Sequence, residues 1–154
     1  GRPDLAFFKF AKAAIEGRPI DVYNHGNMTR DFTYVGDLVK AVRLLIDVAP
    51  EPVEARMTTI AGDTLSAVAP HRVVNIGNGQ KIALMDFIFE IERALGIKME
   101  KNFMDMQMGD VPGTWANSAL LERLPGYRPN TPISEGIDRF VDWYLDYYDV
   151  KSKP

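Results

Sequence analysis

The 154-residue chain contains no cysteine, which excludes disulfides, thiolate catalysis and cysteine-zinc sites. It has only two histidines, His25 and His71. Each is isolated in a predicted loop, with no Ser-His-Asp arrangement or metal-ligand spacing around it, and each reads as a surface residue. There is no basic run, and the formal net charge is -3. That balance argues against nucleic acid as a partner, although one or two arginines can still hold a single small phosphorylated ligand. No apolar run approaches the ~18 residues of a membrane span, and no signal peptide is visible. The expectation is a cytoplasmic protein with no membrane partner. Hydrophobic residues make up 46% and charged residues 25%, enough apolar material to offset chain entropy and fold. The start, Gly1-Arg2-Pro3-Asp4, lacks an initiating methionine and runs at once into Leu5-Ala6-Phe7-Phe8-Lys9-Phe10, which suggests a processed or truncated terminus.

Apolar spacing predicts a helix over 4–16, with Leu5, Phe8, Ala11 and Ile15 on one face and Gly17 as the stop. Pro19 to Tyr23 is predicted as a short strand, followed by a turn at Asn24-His25-Gly26-Asn27. A second strand is predicted from Asp31 to Val35. Asp37 is then expected to N-cap a helix whose stripe is Leu38, Val42, Leu45 and Ile46, ended by Pro50 and Pro52. Residues 51–72 show no sustained period and read as a long loop. A β-branched strand follows over 72–76, closed by Gly77-Asn78-Gly79. Leu84, Phe87, Ile88, Ile91, Ala94 and Leu95 give the cleanest helical stripe, stopped by Gly96. A strand is predicted within 98–106, then a rigid turn at Gly109-Asp110-Val111-Pro112-Gly113. Asn117 is expected to cap a short helix through Leu124. Thr131 and Pro132 open a last helix whose inner face carries Ile133, Ile137, Phe140, Val141, Tyr144 and Tyr148. Alternating strands and helices define an α/β or α+β chain.

A dinucleotide loop needs glycines that let backbone approach a pyrophosphate. Gly77-Asn78-Gly79 lies between strand and helix, but Ile82 stands where a third glycine belongs, so a tight connection is the preferred reading. Tyr147 and Lys151 have the Tyr-x-x-x-Lys spacing of a reductase pair, yet lie at the chain end and read as coincidence. Arg30, between a turn and a strand, can donate two parallel bonds to a phosphate; a surface salt bridge with Asp31 or Asp37 is the alternative. Asp110 sits on a stiff turn and can accept from sugar hydroxyls, or simply form the turn. Tyr23 can stack on a nucleobase, or belong to the core.

Several motifs occur in order: Gly1-Arg2-Pro3-Asp4; Arg30-Asp31-Phe32-Thr33-Tyr34-Val35-x-Asp37; Val74-Asn75-Ile76-Gly77-Asn78-Gly79; Gly109-Asp110-Val111-Pro112; and Gly126-Tyr127-x-Pro129-x-Thr131-x-x-x-Glu135-Gly136-Ile137 with Phe140-Val141-x-Trp143-Tyr144. On these the whole chain, 1–154, resembles the C-terminal substrate-binding part of the NAD-dependent epimerase/dehydratase family, the extended short-chain dehydrogenases acting on nucleotide sugars. Within it the likeness is greatest to the UDP-glucuronate 4-epimerases. The resemblance implies an α/β, Rossmann-type fold that is incomplete without an N-terminal NAD-binding part. It implies inversion at C4 of UDP-glucuronate through a transient 4-keto sugar, with NAD bound mainly by that other part. The family's glycine-rich loop and its proton-transfer residues would lie upstream, so no catalytic or cofactor-binding residue is assigned here and the chain is expected to be inactive alone. By matched motif, Arg30 would clamp the diphosphate, Gln107 and Asp110 would contact ribose or diphosphate, Tyr23 would contact uracil, and Arg2 would hold the sugar carboxylate. The resemblance leaves a 4,6-dehydratase or decarboxylase of the same scaffold open, as well as a non-catalytic sugar-nucleotide-binding module. Strands at Thr33-Val35 and Val73-Ile76 would lose their neighbours in the isolated chain, exposing apolar surface and favouring homo-oligomers.

Overall fold

The computed structural model describes residues 5–52 and 60–150, which form two compact units. The first comprises residues up to 30, 81–114 and from 132 onward; the second comprises 31–80 and 115–131. Arg2 and Lys151 lie outside the described residues, as does 53–59 of the predicted long loop; its described parts form neither helix nor strand.

In the first unit, α1 (Ala6–Ile15) leads into β1 (Ile20–Val22), a 3-10 turn (Tyr23–Gly26) and β2 (Thr29–Arg30). After the second unit's α2 (Val35–Ile46) come β3 (Ile82–Ala83), α3 (Leu84–Leu95) and β4 (Lys101–Phe103). The second unit's α4 (Ala119–Arg123) precedes α5 (Ile133–Tyr147) of the first. The apolar stripe of α3 buries as its period requires: Phe87, Ile88, Ile91 and Leu95 are almost wholly removed from water. They meet Phe8, Phe10 and Ala11 of α1 and Ile137, Val141 and Tyr144 of α5 in one core. Each such side chain contributes about 1.5–3 kcal/mol by leaving water. Gly96 ends α3 at φ 73°, a left-handed conformation that costs glycine little, and Ile97 N–H returns to the Glu92 carbonyl. Arg93 ties α3 to Asp138 of α5 at 2.7 Å.

In the second unit, polar side chains hold irregular backbone. The Asp37 carboxylate accepts from the Tyr127 hydroxyl (2.9 Å) and from the N–H groups of Asn130 (3.1 Å) and Thr131 (2.9 Å). Asp31 Oδ2 accepts from Gly79 N–H (2.9 Å) and Ala116 N–H (3.0 Å). Arg72 grips Asp63 with two 2.8 Å bonds.

Four sequence expectations change. Of the predicted strands, residues 31–34 and 72–76 are irregular backbone and Val35 opens α2; β-propensity needs a partner strand, and none of the described residues supplies one. Asp37 is not the N-cap of α2, which is Tyr34; it lies in the first turn and reaches Tyr127 and the 130–131 backbone instead. Thr131 likewise gives way to Pro132 as the N-cap of α5. The α2 stripe faces water: Leu38, Val42 and Ile46, with Val35 and Val39, are 41–66% exposed, and Ala41 is the buried position. Asn117 keeps its expected role, its Oδ1 accepting from Ala119 N–H at the start of α4. Among the described residues no helix is long and apolar enough to cross a membrane.

Burial pushes the Asp37 carboxyl up, but the bonds from Thr131, Tyr127 and Asn130 outweigh it and hold the carboxyl below its ordinary value. Burial, together with Asp37, pushes the Tyr127 hydroxyl up to about 12. The depressed acid stabilises the fold above its unfolded pKa of about 4 and loses that contribution as pH falls through the folded value. The raised phenol contributes fully below pH 10.0 and loses its contribution as pH rises toward about 12. Asp37→Ala should therefore cost about 1–3 kcal/mol at neutral pH, with a weaker acid dependence of the urea midpoint. Tyr127→Phe should remove this alkaline limb and also weaken the acid dependence, because its hydroxyl is one of the groups that lower Asp37.

Candidate functional site

Two stretches of the first unit, 20–30 and 101–114, run side by side. β1 and β4 pair in parallel, with Ile20 opposite Lys101, Asp21 opposite Asn102 and Val22 opposite Phe103. The pairing continues past both strands: Met104 N–H donates to the Val22 carbonyl and His25 N–H to the Met104 carbonyl, each at 3.0 Å. Thr29 N–H then donates to the Pro112 carbonyl at 2.9 Å, and Thr29 bridges Gly113. The other edge of β2 pairs antiparallel with β3, Arg30 opposite Ile82.

This alignment collects the candidate residues that the structure describes. Tyr23 follows β1 directly, so it opens the 3-10 turn instead of lying in the strand as expected; its ring is half-buried, not a core residue. Asn24 and His25 then adopt left-handed conformations (φ 51° and 50°). Arg30 is partly buried, and its Nη1 donates to the Thr29 carbonyl at 2.8 Å. No carboxylate among the described residues pairs with it, so the salt-bridge alternative fails. By contrast Arg18, Arg43, Arg72, Arg93 and Arg139 each sit against a carboxylate. Gln107 and Asp110 are exposed on the turn between β4 and Pro112, closed by Asp110 N–H on the Gln107 carbonyl at 3.1 Å. That bond uses backbone only and leaves both side-chain ends without a protein partner among the described residues.

Sequence reasoning missed one pair. His25 Nε2 lies 3.0 Å from Asp105 Oδ1, linking the 3-10 turn to the strand exit. The partners are 80 residues apart and no local spacing announces them. The apparent Tyr-x-x-x-Lys pair gains no support: Tyr147 is 67% exposed and stacks on Trp143 with ring centres 5.1 Å apart.

The arrangement does not fit a dinucleotide. The amides of the Gly77-Asn78-Gly79 turn are spent on Ser118 Oγ, Thr33 Oγ1 and Asp31 Oδ2, leaving no phosphate cradle. The 20–30 and 101–114 ribbon carries, among other groups, the Arg30 guanidinium without a described counter-charge, the Asp110 carboxylate, the Gln107 amide and the Tyr23 ring. That set suits a ligand with an anionic linker, hydroxyls and a flat base.

Residues 1–77 match the family described as the NAD dependent epimerase/dehydratase family. The chain is 49% identical to Protein CapI of Staphylococcus aureus, covering 96% of this chain and 44% of that protein. It is 48% identical to the probable UDP-glucuronate 4-epimerase of Rhizobium meliloti, covering 96% and 43%. The UDP-glucuronic acid 4-epimerase of Bacillus cereus, solved with UDP-glucuronic acid and NAD, superposes with a TM-score of 0.74 at 27% identity, over 95% of this chain and 41% of that one. The chain therefore belongs to the NAD-dependent epimerase/dehydratase family, with the extended short-chain dehydrogenase (Rossmann-type) fold. It spans less than half the length of these relatives.

Gly113 is required where the ribbon closes, since a Cβ there would stand 2.6 Å from Thr29 Oγ1. Gly113→Ala should destabilise the protein by about 1–3 kcal/mol. The double variant Thr29→Ala/Gly113→Ala should recover most of that loss in urea unfolding.

Proposed function

We propose that the chain is the substrate-binding region of a UDP-glucuronate 4-epimerase, acting within a longer protein whose other part carries NAD and the proton-transfer residues. The observation behind this is the partly buried Arg30, which has no carboxylate partner among the described residues. A buried guanidinium without a counter-charge is costly unless a ligand supplies one, and a diphosphate does so bidentately. In this reading Arg30 clamps the diphosphate, Gln107 and Asp110 hold the ribose or diphosphate, Tyr23 faces the uracil and Arg2 takes the sugar carboxylate. Names of relatives favour the epimerase over the 4,6-dehydratase and decarboxylase readings. A free-standing binding module is the remaining alternative.

The exposed α2 stripe supports the same reading, because five aliphatic side chains on one helix face are a surface built to be covered. In the 154-residue chain alone it should drive self-association.

Four measurements test the proposal. The isolated chain should bind UDP by calorimetry while neither holding NAD tightly nor turning over UDP-glucuronate; turnover by the chain alone would refute it. Arg30→Ala should weaken UDP binding by about 10-fold or more, the worth of a charge-assisted pair, with no loss of melting temperature. In the longer protein, Arg2→Ala should weaken UDP-glucuronate more than UDP-glucose; equal losses remove Arg2 from the carboxylate role. Sedimentation should show concentration-dependent association of the chain, suppressed by Val39→Lys with Val42→Glu.

A further inference from the structure

The second unit contains a cavity of about 310 Å³ lined in part by Asn78, Trp115, Ser118, Glu122 and Arg128. None of Tyr23, Arg30, Gln107 and Asp110 lines it, so a ligand in this cavity is independent of the epimerase reading. Much of the lining is already committed. Ser118 Oγ accepts from Gly77 N–H and donates to the Gly77 carbonyl, and Asn117 Oδ1 accepts from Ala119 N–H. Three groups stay unspent among the described residues. Asn78 is 5% exposed and its Nδ2 donates to the Thr131 carbonyl, yet its Oδ1 has no partner. A buried acceptor left unsatisfied is destabilising, and so asks for a donor. Neither the Glu122 carboxylate nor the Arg128 guanidinium pairs with a protein group. Arg128 is exposed, and its Nη2 stands 3.8 Å from where a Gly79 Cβ would lie, beside the turn. The Trp115 indole, 56% exposed, adds a flat apolar wall.

The unspent set selects a ligand class. The turn amides face protein acceptors, so no nest of N–H groups awaits a phosphate, and Glu122 would repel a dianion. A lone guanidinium fork matches a planar carboxylate. Two acceptors, Asn78 Oδ1 and Glu122, call for hydroxyl donors. The indole suits the apolar face of a saturated ring, and the volume lies at the lower end of the small-ligand range.

We propose that this cavity binds a free pyranose-ring acid, its carboxylate on Arg128, its hydroxyls toward Asn78 and Glu122, and its ring against Trp115. The test is an NMR titration of the 154-residue chain that follows the Trp115 indole N–H, assigned through Trp115→Phe, with Trp143 as internal control. The probes are glucuronate, glucose, acetate and ribose 5-phosphate. Glucuronate should give a saturable shift at Trp115 and none at Trp143. Glucose lacks the carboxylate and acetate lacks the ring, and each should bind about 10-fold or more weakly. Arg128→Gln should weaken glucuronate by a similar factor at an unchanged melting temperature, since Arg128 is exposed and its side chain forms no ion pair with a described residue, and Arg128→Lys should fall between. A response that never saturates, equal affinities for the first three probes, or an indifferent Arg128→Gln would overturn the proposal. Tighter binding of ribose 5-phosphate would overturn the carboxylate assignment and mark the cavity as a phosphate site.

Discussion

Everything at the candidate site depends on the lateral pairing of residues 20–30 with 101–114. Neither stretch is long enough to be a stable strand by itself, since β1 and β4 have three residues each. Their register is set by the core behind them: Ile20 and Val22 point inward and are buried. A slip of one residue would turn both to the opposite face. With that register fixed, Tyr23 must leave β1 beside Met104 and Thr29 must meet Pro112. Recognition groups from segments far apart in sequence are thereby placed by backbone hydrogen bonds anchored in α1, α3 and α5. Function resides in loops whose positions the packed core dictates.

The second unit works by a different logic. Its backbone over 72–80 and 115–118 forms neither helix nor strand, so its buried N–H groups need other acceptors. Asp31, Thr33 and Ser118 supply them at residues 77–79 and 116. A turn whose amides are all committed to protein oxygens is rigid and closed to phosphate, which is why Gly77-Asn78-Gly79 is not a cofactor loop despite its place before a helix. Among the described residues, that turn therefore offers a dinucleotide no phosphate cradle.

How legible these features are depends on how local their causes are. The α3 stripe and its Gly96 stop can be read directly, because helical hydrogen bonds close within four residues and the apolar period reports the buried face. The turns at Asn24-His25 and Gly109-Asp110 are legible for the same reason. Residues 31–35 and 72–76 mislead because β-branched composition says only that a segment would suit a sheet, not that a neighbour exists. Asp37 misleads because an acidic residue beside a helix start looks like a cap, whereas its partners lie 90 to 94 positions away. Arg30, Asp110 and Gln107 can be named from motif resemblance. Their freedom from ion pairs among the described residues can only come from the folded arrangement.

That freedom carries more weight than the presence of arginine itself. The described arginines fall into two sets. Arg18, Arg43, Arg72, Arg93 and Arg139 sit against carboxylates, mostly near in sequence, as expected where local charge patterning stabilises surface helices and loops. Arg30, Arg123 and Arg128 do not. Arg123 is spent on the Ala61 carbonyl, and Arg128 faces the second unit's cavity. Arg30 alone of the three is partly buried, and its single bond to the Thr29 carbonyl orients the guanidinium without neutralising it. In a chain of net charge -3 with 21 acidic residues, a carboxylate could readily have been placed beside it. A partly buried positive charge that forms no ion pair with a described acid suits an anionic ligand, because a resident counter-ion would have to be displaced before the ligand could bind.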